Sequence, residues 1–295
     1  MTARESGLLM REGGGVKQIF KDLIPPLLVK AVKKIWPEPE PEPEPLFASY
    51  QDALNECGDD GYQASNVVEV VVGKNAIYRD EMFSSRVIGL DSLRTMVGIG
   101  ALQSLPTLRV LDFGGGGGSH YSIVRAALGA DRDIRWNVVE TTAMAKAAGE
   151  RLAGGGLKFF DDIQKAATDL GHVDLVFTSG ALQYTPDPIA FLEKLIAVKA
   201  AHIFVTRTAL NVGEGSVVCI QTSMLSANGP GALPSGLSDR QIRYPVTFAN
   251  KAEFERLLGA NYEIRFSLEE DKASYTVNDK TFDMFGYFCD LRSRN

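Results

Sequence analysis

From residue 108 to the C-terminus, short apolar runs alternate with longer stretches of mixed spacing. The runs 108–111, 135–139, 157–160, 173–177 and 203–205 predict five strands, because a strand covered on both faces reads as a continuous apolar run. Segments 119–128, 188–198 and 253–258 predict helices, and 262–268 with 281–291 a terminal β pair. Strands and helices taking turns in this way predict an α/β domain with a parallel sheet over 108–295. Segment 223–245 keeps neither period and is expected to be a loop, its length and position suiting a substrate lid.

Upstream of that domain the pattern changes. Residues 47–56, 61–83 and 90–105 carry helical spacing, so 46–107 is expected to form a helical cap against one side of the pocket. Residues 1–45 read as a flexible extension. Within it, 16–36 set Phe20, Leu23, Leu27, Leu28, Val32 and Trp36 beside Lys17, Lys21, Lys30, Lys33 and Lys34, with Pro25 and Pro26 dividing the segment. A basic amphipathic segment of this kind suits a peripheral contact with an anionic membrane, docking on a partner or packing on its own domain. The Pro-Glu run 37–45 predicts an extended spacer of roughly 28 Å.

The chemistry concentrates at residues 108–119, LRVLDFGGGGGS. A strand runs into Asp112 and Phe113, then Gly114 to Gly118, and a predicted helix follows. Glycine lets backbone turn tightly and approach a ligand, and the helix N-terminus beyond offers free N–H groups. Glu140 ends the next strand, about 20 residues on, where a nucleotide ribose needs a carboxylate acceptor. The glycines alone fit either NAD(P) or S-adenosylmethionine; an acid at Asp112 would repel a pyrophosphate and favours the latter.

In an open α/β sheet ligands bind outside the carboxyl ends of the strands. That rule selects Asp161 and Asp162 after the third strand, one for an adenine amine and one as a helix cap. Ser179 after the fourth strand is placed near the sulfonium, with Tyr184 beyond it facing the methyl group or the substrate. Arg207 follows the fifth strand and suits an anionic substrate group. His120, opening the helix after the glycines, is a candidate general base, with Tyr184 as the other. His202 begins the fifth strand, at the wrong end, and reads as structural.

Composition narrows the picture. A formal net charge of -6 argues against a general nucleic-acid binder. The three cysteines, Cys57, Cys219 and Cys289, are scattered, and the three histidines are unpaired, so no metal is expected. Cysteine usage and the lack of a long apolar run suggest a cytoplasmic protein, at most peripheral at the inner face of a membrane.

The pattern Asp112-x-Gly114-x-Gly116-x-Gly118 resembles motif I of the Rossmann-like (class I) S-adenosylmethionine-dependent methyltransferases. The element order likewise resembles their seven-stranded, mostly parallel sheet with an antiparallel last strand. The stretches LFASYQDALNECGDDGYQASNVV, NAIYRDEMF, VLDFGGGGGSHY, WNVVE and SGALQYTPDPIAFLEKLI, with Gln221 and Tyr244-Pro245, are similar to an uncharacterised bacterial methyltransferase family associated with surface-polysaccharide gene clusters. The chain departs from it in glycine richness and at Thr206, where an aspartate is expected. The resemblance implies a methyl acceptor on a sugar or glycan precursor. The reading is therefore a methyltransferase acting on a small molecule or glycan precursor, with Asp112, Phe113, Gly114, Gly115, Gly116, Glu140, Asp161, Asp162 and Ser179 expected around the cofactor and His120, Tyr184 and Arg207 at the chemistry. The alternatives are a non-catalytic cofactor-binding subunit of a glycan assembly complex and, third, an NAD(P) oxidoreductase.

Overall fold

The structure is a computed structural model that describes residues 45–58, 64–85, 87–89, 92–270, 275–278 and 280–293. The expectations for segments 1–15, 16–36 and nearly all of 37–45 lie outside these residues. Among the described residues no helix is long and apolar enough to cross a membrane, and no cluster of His, Cys, Asp or Glu is arranged to hold a metal.

Three helices come first: α1 (Tyr50–Cys57), α2 (Ser65–Ser85) and α3 (Leu93–Gly100). The alternating domain follows as β1 (Thr107–Phe113), α4 (Ser119–Leu128), β2 (Asp133–Val139), α5 (Thr142–Leu152), β3 (Leu157–Phe160), α6 (Ile163–Leu170) and β4 (Leu175–Ser179). It continues with α7 (Pro188–Ala197), β5 (His202–Asn211), β6 (Val217–Met224), β7 (Gln241–Asn250), α8 (Lys251–Asn261), β8 (Tyr262–Glu269), β9 (Tyr275–Val277) and β10 (Lys280–Leu291). Helix starts follow local chemistry: Thr141, Asp162, Asp187 and Asn250 each accept a hydrogen bond from a backbone N–H of the first turn of α5, α6, α7 and α8.

The strands form the order β3-β2-β1-β4-β5-β10-β8. β1 to β5 run parallel, and β10 is antiparallel to both β5 and β8. This is the expected Rossmann-like seven-strand order. The two-residue period sorts each strand between two cores: Leu108 and Val110 pack with Ile99, Val124 and Trp136 on one face, and Leu111 with Leu192, Leu195 and Phe254 on the other. Val67, Val71 and Val72 of α2 pack with Met144, Ala148 and Leu152 of α5, so the cap is a continuation of the core.

Two expectations need correction. Segment 223–245 is a loop only in its middle: its ends belong to an antiparallel pair, β6 and β7, in which Ser223 faces Ile242 and Ile220 faces Pro245. Pro245 disguised the strand, since proline is excluded from ladders on both sides; here β7 also meets β5, but only at Ala249 and Asn250. The fifth strand does not stop at Val205. It runs to Asn211 through a bulge, where Thr206 and Arg207 together oppose Gly286.

Candidate functional site

The turn between β1 and α4 sits at the carboxyl edge of the sheet, where β1 and β4, adjacent strands, connect on opposite sides. Gly114 has φ +73, and a Cβ on it would collide with that of Ala181 in the segment after β4. The turn and the β4 exit therefore touch only because residue 114 has no side chain. The N–H of Gly114 bonds the Val139 carbonyl at 2.9 Å, tying the turn to the end of β2. From the cap, Asn75 of α2 presses on the turn: its Cβ lies 2.5 Å from where a Gly117 Cβ would stand.

Asp112 is fully buried. Its Oδ2 accepts the Trp136 Nε1–H at 2.9 Å and meets His120 Nδ1 at 3.0 Å. Its Oδ1, also buried, has no hydrogen-bond partner. A buried carboxylate oxygen without a donor is costly, so it marks a place where a donor belongs. Asn75 Oδ1 is likewise buried and without a partner.

Glu140 spans the two half-turns. Oε1 accepts the Gly116 N–H and Oε2 the Thr141 N–H, each at 3.0 Å. Burial holds its carboxyl above the usual carboxylate range; the two N–H bonds act the other way and nearby Asp112 adds to the rise. A carboxylate has about four lone-pair sites, so acceptor capacity is left for hydroxyl groups. Phe113 ends β1 against Phe191 of α7, with ring centroids 5.4 Å apart. Gly115 and Gly116 form the middle of the turn, Gly115 over the Asp112 carboxylate.

After β3, Asp162 caps α6 through the Lys165 N–H at 2.8 Å. Asp161 pairs with Lys165 at 3.3 Å and accepts from Thr142 Oγ1 at 3.4 Å. The Lys165 hydrogen bond, with its charge, holds the Asp161 carboxyl below the usual range. Ser179 is the last residue of β4 and partly buried. His120 stands edge-on to Phe177, centroids 4.8 Å apart. At the opposite edge His202 bonds Asp290 at 2.7 Å, a contact between β5 and β10. A surface hollow lined by Gln164, Thr168, His172 and Lys199 also lies at that opposite edge, away from the glycine turn.

Tyr184 ends a short 3-10 turn, Leu182–Tyr184. Its hydroxyl donates to Gln221 Oε1 at 3.1 Å and lies 3.0 Å from that of Tyr275, and its ring meets Tyr244 edge-on, centroids 5.4 Å apart. Tyr50 of α1 donates to the Tyr184 carbonyl at 3.0 Å. Burial first, then Tyr275 and Tyr244, push the Tyr184 phenol well above its ordinary range, with Arg207 pulling weakly the other way. A phenol so raised stays protonated at neutral pH and donates hydrogen bonds. Arg207 has an exposed side chain and φ +53.

Sequence reading gave no role to Asn75, Tyr50, Tyr275 and Glu270, which come from elements distant in the chain. Tyr50 and Asn75 lie in stretches that carry the family resemblance, Tyr275 and Glu270 in none. The loop after β6 is also more tied down than a free lid: Ser226 bonds Asp239 through both N–H (2.9 Å) and hydroxyl (2.6 Å), and the buried Lys74 of α2 donates to the Ser226 carbonyl.

No family model matches the sequence, and neither does any curated protein. Among solved structures, the N-terminal domain of EvdMO1 with SAH bound aligns at 15% identity and TM-score 0.41, over 68% of this chain and 81% of that one. A S-adenosylmethionine-dependent methyltransferase from Clostridium acetobutylicum ATCC 824 aligns at 11% identity and TM-score 0.43, over 74% and 97%. The glycopeptide N-methyltransferase MtfA complexed with S-adenosyl-L-methionine aligns at 11% and 0.39, over 68% and 87%. Similarity at this level says nothing of what this chain binds.

Proposed function

We propose that the chain is a S-adenosylmethionine-dependent methyltransferase acting on a small molecule or glycan precursor, with O-methylation of a sugar as the favoured case. The observation that carries this reading is the pair of carboxylates around one glycine turn: buried Asp112 with a free oxygen, and Glu140 bonded across Gly116. Asp112 Oδ1 fits the donor of an α-ammonium group, and Glu140 the hydroxyls of a ribose. Buried Asp112 beside the glycine turn opposes a dinucleotide, whose pyrophosphate would meet like charge. Asp161 and Ser179 flank the same edge and are assigned to the adenine and sulfonium ends, and Asn75 to the methionine end.

Bound there, S-adenosylmethionine supplies an electrophilic methyl group on sulfonium. The chain's own part is to hold a nucleophilic oxygen or nitrogen in line with it, which accounts for much of the rate in such transfers. Tyr184, its hydroxyl tied to Gln221 and Tyr275, shapes the acceptor side, and Arg207 stands beside it. His120 is the base candidate: a proton held on Nδ1 by Asp112 leaves Nε2 as the basic nitrogen. Titration calorimetry with S-adenosylhomocysteine and with NAD tests the reading. Heat from the first alone is expected; heat only from NAD overturns it.

A further inference from the structure

The bulge in β5 is held from every side. Glu270, whose side chain is only 3% exposed, accepts the Thr206 hydroxyl at 2.5 Å and the Arg207 N–H at 2.8 Å on Oε1, and Arg94 Nε at 2.9 Å on Oε2. The Thr206 carbonyl takes the Gly180 N–H at 3.0 Å, and the Arg207 carbonyl takes Gln183 Nε2 at 3.3 Å. Opposite the bulge stands Gly286, where a Cβ would come 2.7 Å from Glu270 Oε1. A glycine in β10 thus makes room for the carboxylate that locks β5.

This lock maintains a conformation that resists itself. Arginine in the left-handed region is strained, and β-bulges re-aim side chains beside binding sites. Here the re-aimed group lies along Gly180, with Arg207 Cβ and Cζ each 3.6 Å from where a Gly180 Cβ would be. Gly180 directly follows Ser179 at the carboxyl end of β4. Among the described residues the guanidinium has no ion-pair partner, while Glu270, which holds the Arg207 backbone, is used up by that N–H, Thr206 and Arg94. The result is an exposed planar fork on a fixed backbone, without an ion-pair partner among the described residues, beside Gly180 and Tyr184. Such a fork matches a carboxylate or phosphate.

We propose that the Thr206–Arg207 bulge is an anion clamp, so that the methyl acceptor carries a carboxylate or phosphate, and that Glu270 is the positioning residue which sets the clamp. This rests on the methyltransferase reading for the identity of the site. The test is binding of D-glucuronate, glucose 1-phosphate and neutral methyl glucoside to the full chain with S-adenosylhomocysteine present, by ligand-observed NMR. At least one anion is expected to bind about tenfold tighter than the neutral sugar, and which one separates carboxylate from phosphate recognition. Arg207→Ala should abolish the preference and Arg207→Lys keep part of it. Gly286→Ala, which pushes on Glu270 from the far strand, should reduce the preference at unchanged S-adenosylhomocysteine affinity; Glu270→Gln, which keeps an acceptor for Arg207 N–H, should retain more of it. Equal binding of the three sugars, no binding of either anion, or a preference that survives Arg207→Ala overturns the clamp. Failure of the wild type to bind S-adenosylhomocysteine, with the anion preference intact, would instead overturn the methyltransferase reading and leave the clamp standing.

Discussion

The two halves of the sheet's carboxyl edge are built in different ways. At the β1–β2 half, a span of under thirty residues supplies nearly everything: Asp112, the glycine turn, His120 and Glu140, linked largely by backbone N–H groups and carbonyls. At the β4–β5 half, side chains do the work and come from all over the chain: Tyr50, Arg94, Tyr184, Arg207, Gln221, Tyr244, Glu270 and Tyr275. A half made of local backbone suits a ligand of fixed shape. One made of distant side chains can change its specificity by single substitutions without disturbing the other.

Substituting the contact between the glycine turn and the β4 exit should have the largest effect. Gly114→Ala drives a methyl group into Ala181 and imposes a side chain on left-handed backbone, so a loss of about 2–4 kcal/mol in urea unfolding is expected. If stability is unchanged, the turn and the β4 exit are not in contact. Tyr184→Phe leaves Gln221 Oε1 without its donor and should cost about 1–2 kcal/mol by the same measurement. A neutral result there would mean that the tyrosine cluster is not a connected network.

A smaller difference separates neighbours. Asp162→Ala should lose about 1 kcal/mol of stability as a removed cap and leave cofactor affinity alone. Asp161→Ala should do the reverse; if both act alike, the division of labour after β3 is mistaken. The last effect is one of pH. The Glu140 carboxyl is raised on folding, so the folded chain holds its proton longer than the unfolded chain does. Stability of the cofactor-free protein should therefore fall as pH rises from the ordinary carboxylate range through Glu140's raised one. Glu140→Gln should flatten that decline in a series of melting curves; an unchanged slope would assign it to other groups.

The same contrast explains what the sequence could reveal. Strands β1 to β4, the glycine turn and Glu140 were legible because period, turn chemistry and spacing are local signals. The β6–β7 pair was not, since Pro245 lies inside β7 and a proline within a run argues against a strand. Nor was the bulge: Thr206 and Arg207 look like a strand end, and only Glu270, far along the chain, makes them a strand interior. A cap was readable in the pair Asp161–Asp162 before a helix, but that it is Asp162 was not, and the burial of Tyr184 depended on partners at 50, 221, 244 and 275.

The division between the halves is tested most directly by measuring S-adenosylhomocysteine affinity calorimetrically in two variants. Glu140→Ala should weaken binding by about 1–3 kcal/mol, because ribose hydroxyls lose a charge-assisted acceptor. Tyr184→Phe should leave it within about twofold, roughly 0.4 kcal/mol. Equal losses in both variants, or an undisturbed affinity in Glu140→Ala, would contradict a cofactor site that takes its ribose contacts from the β1–β2 half and none from Tyr184.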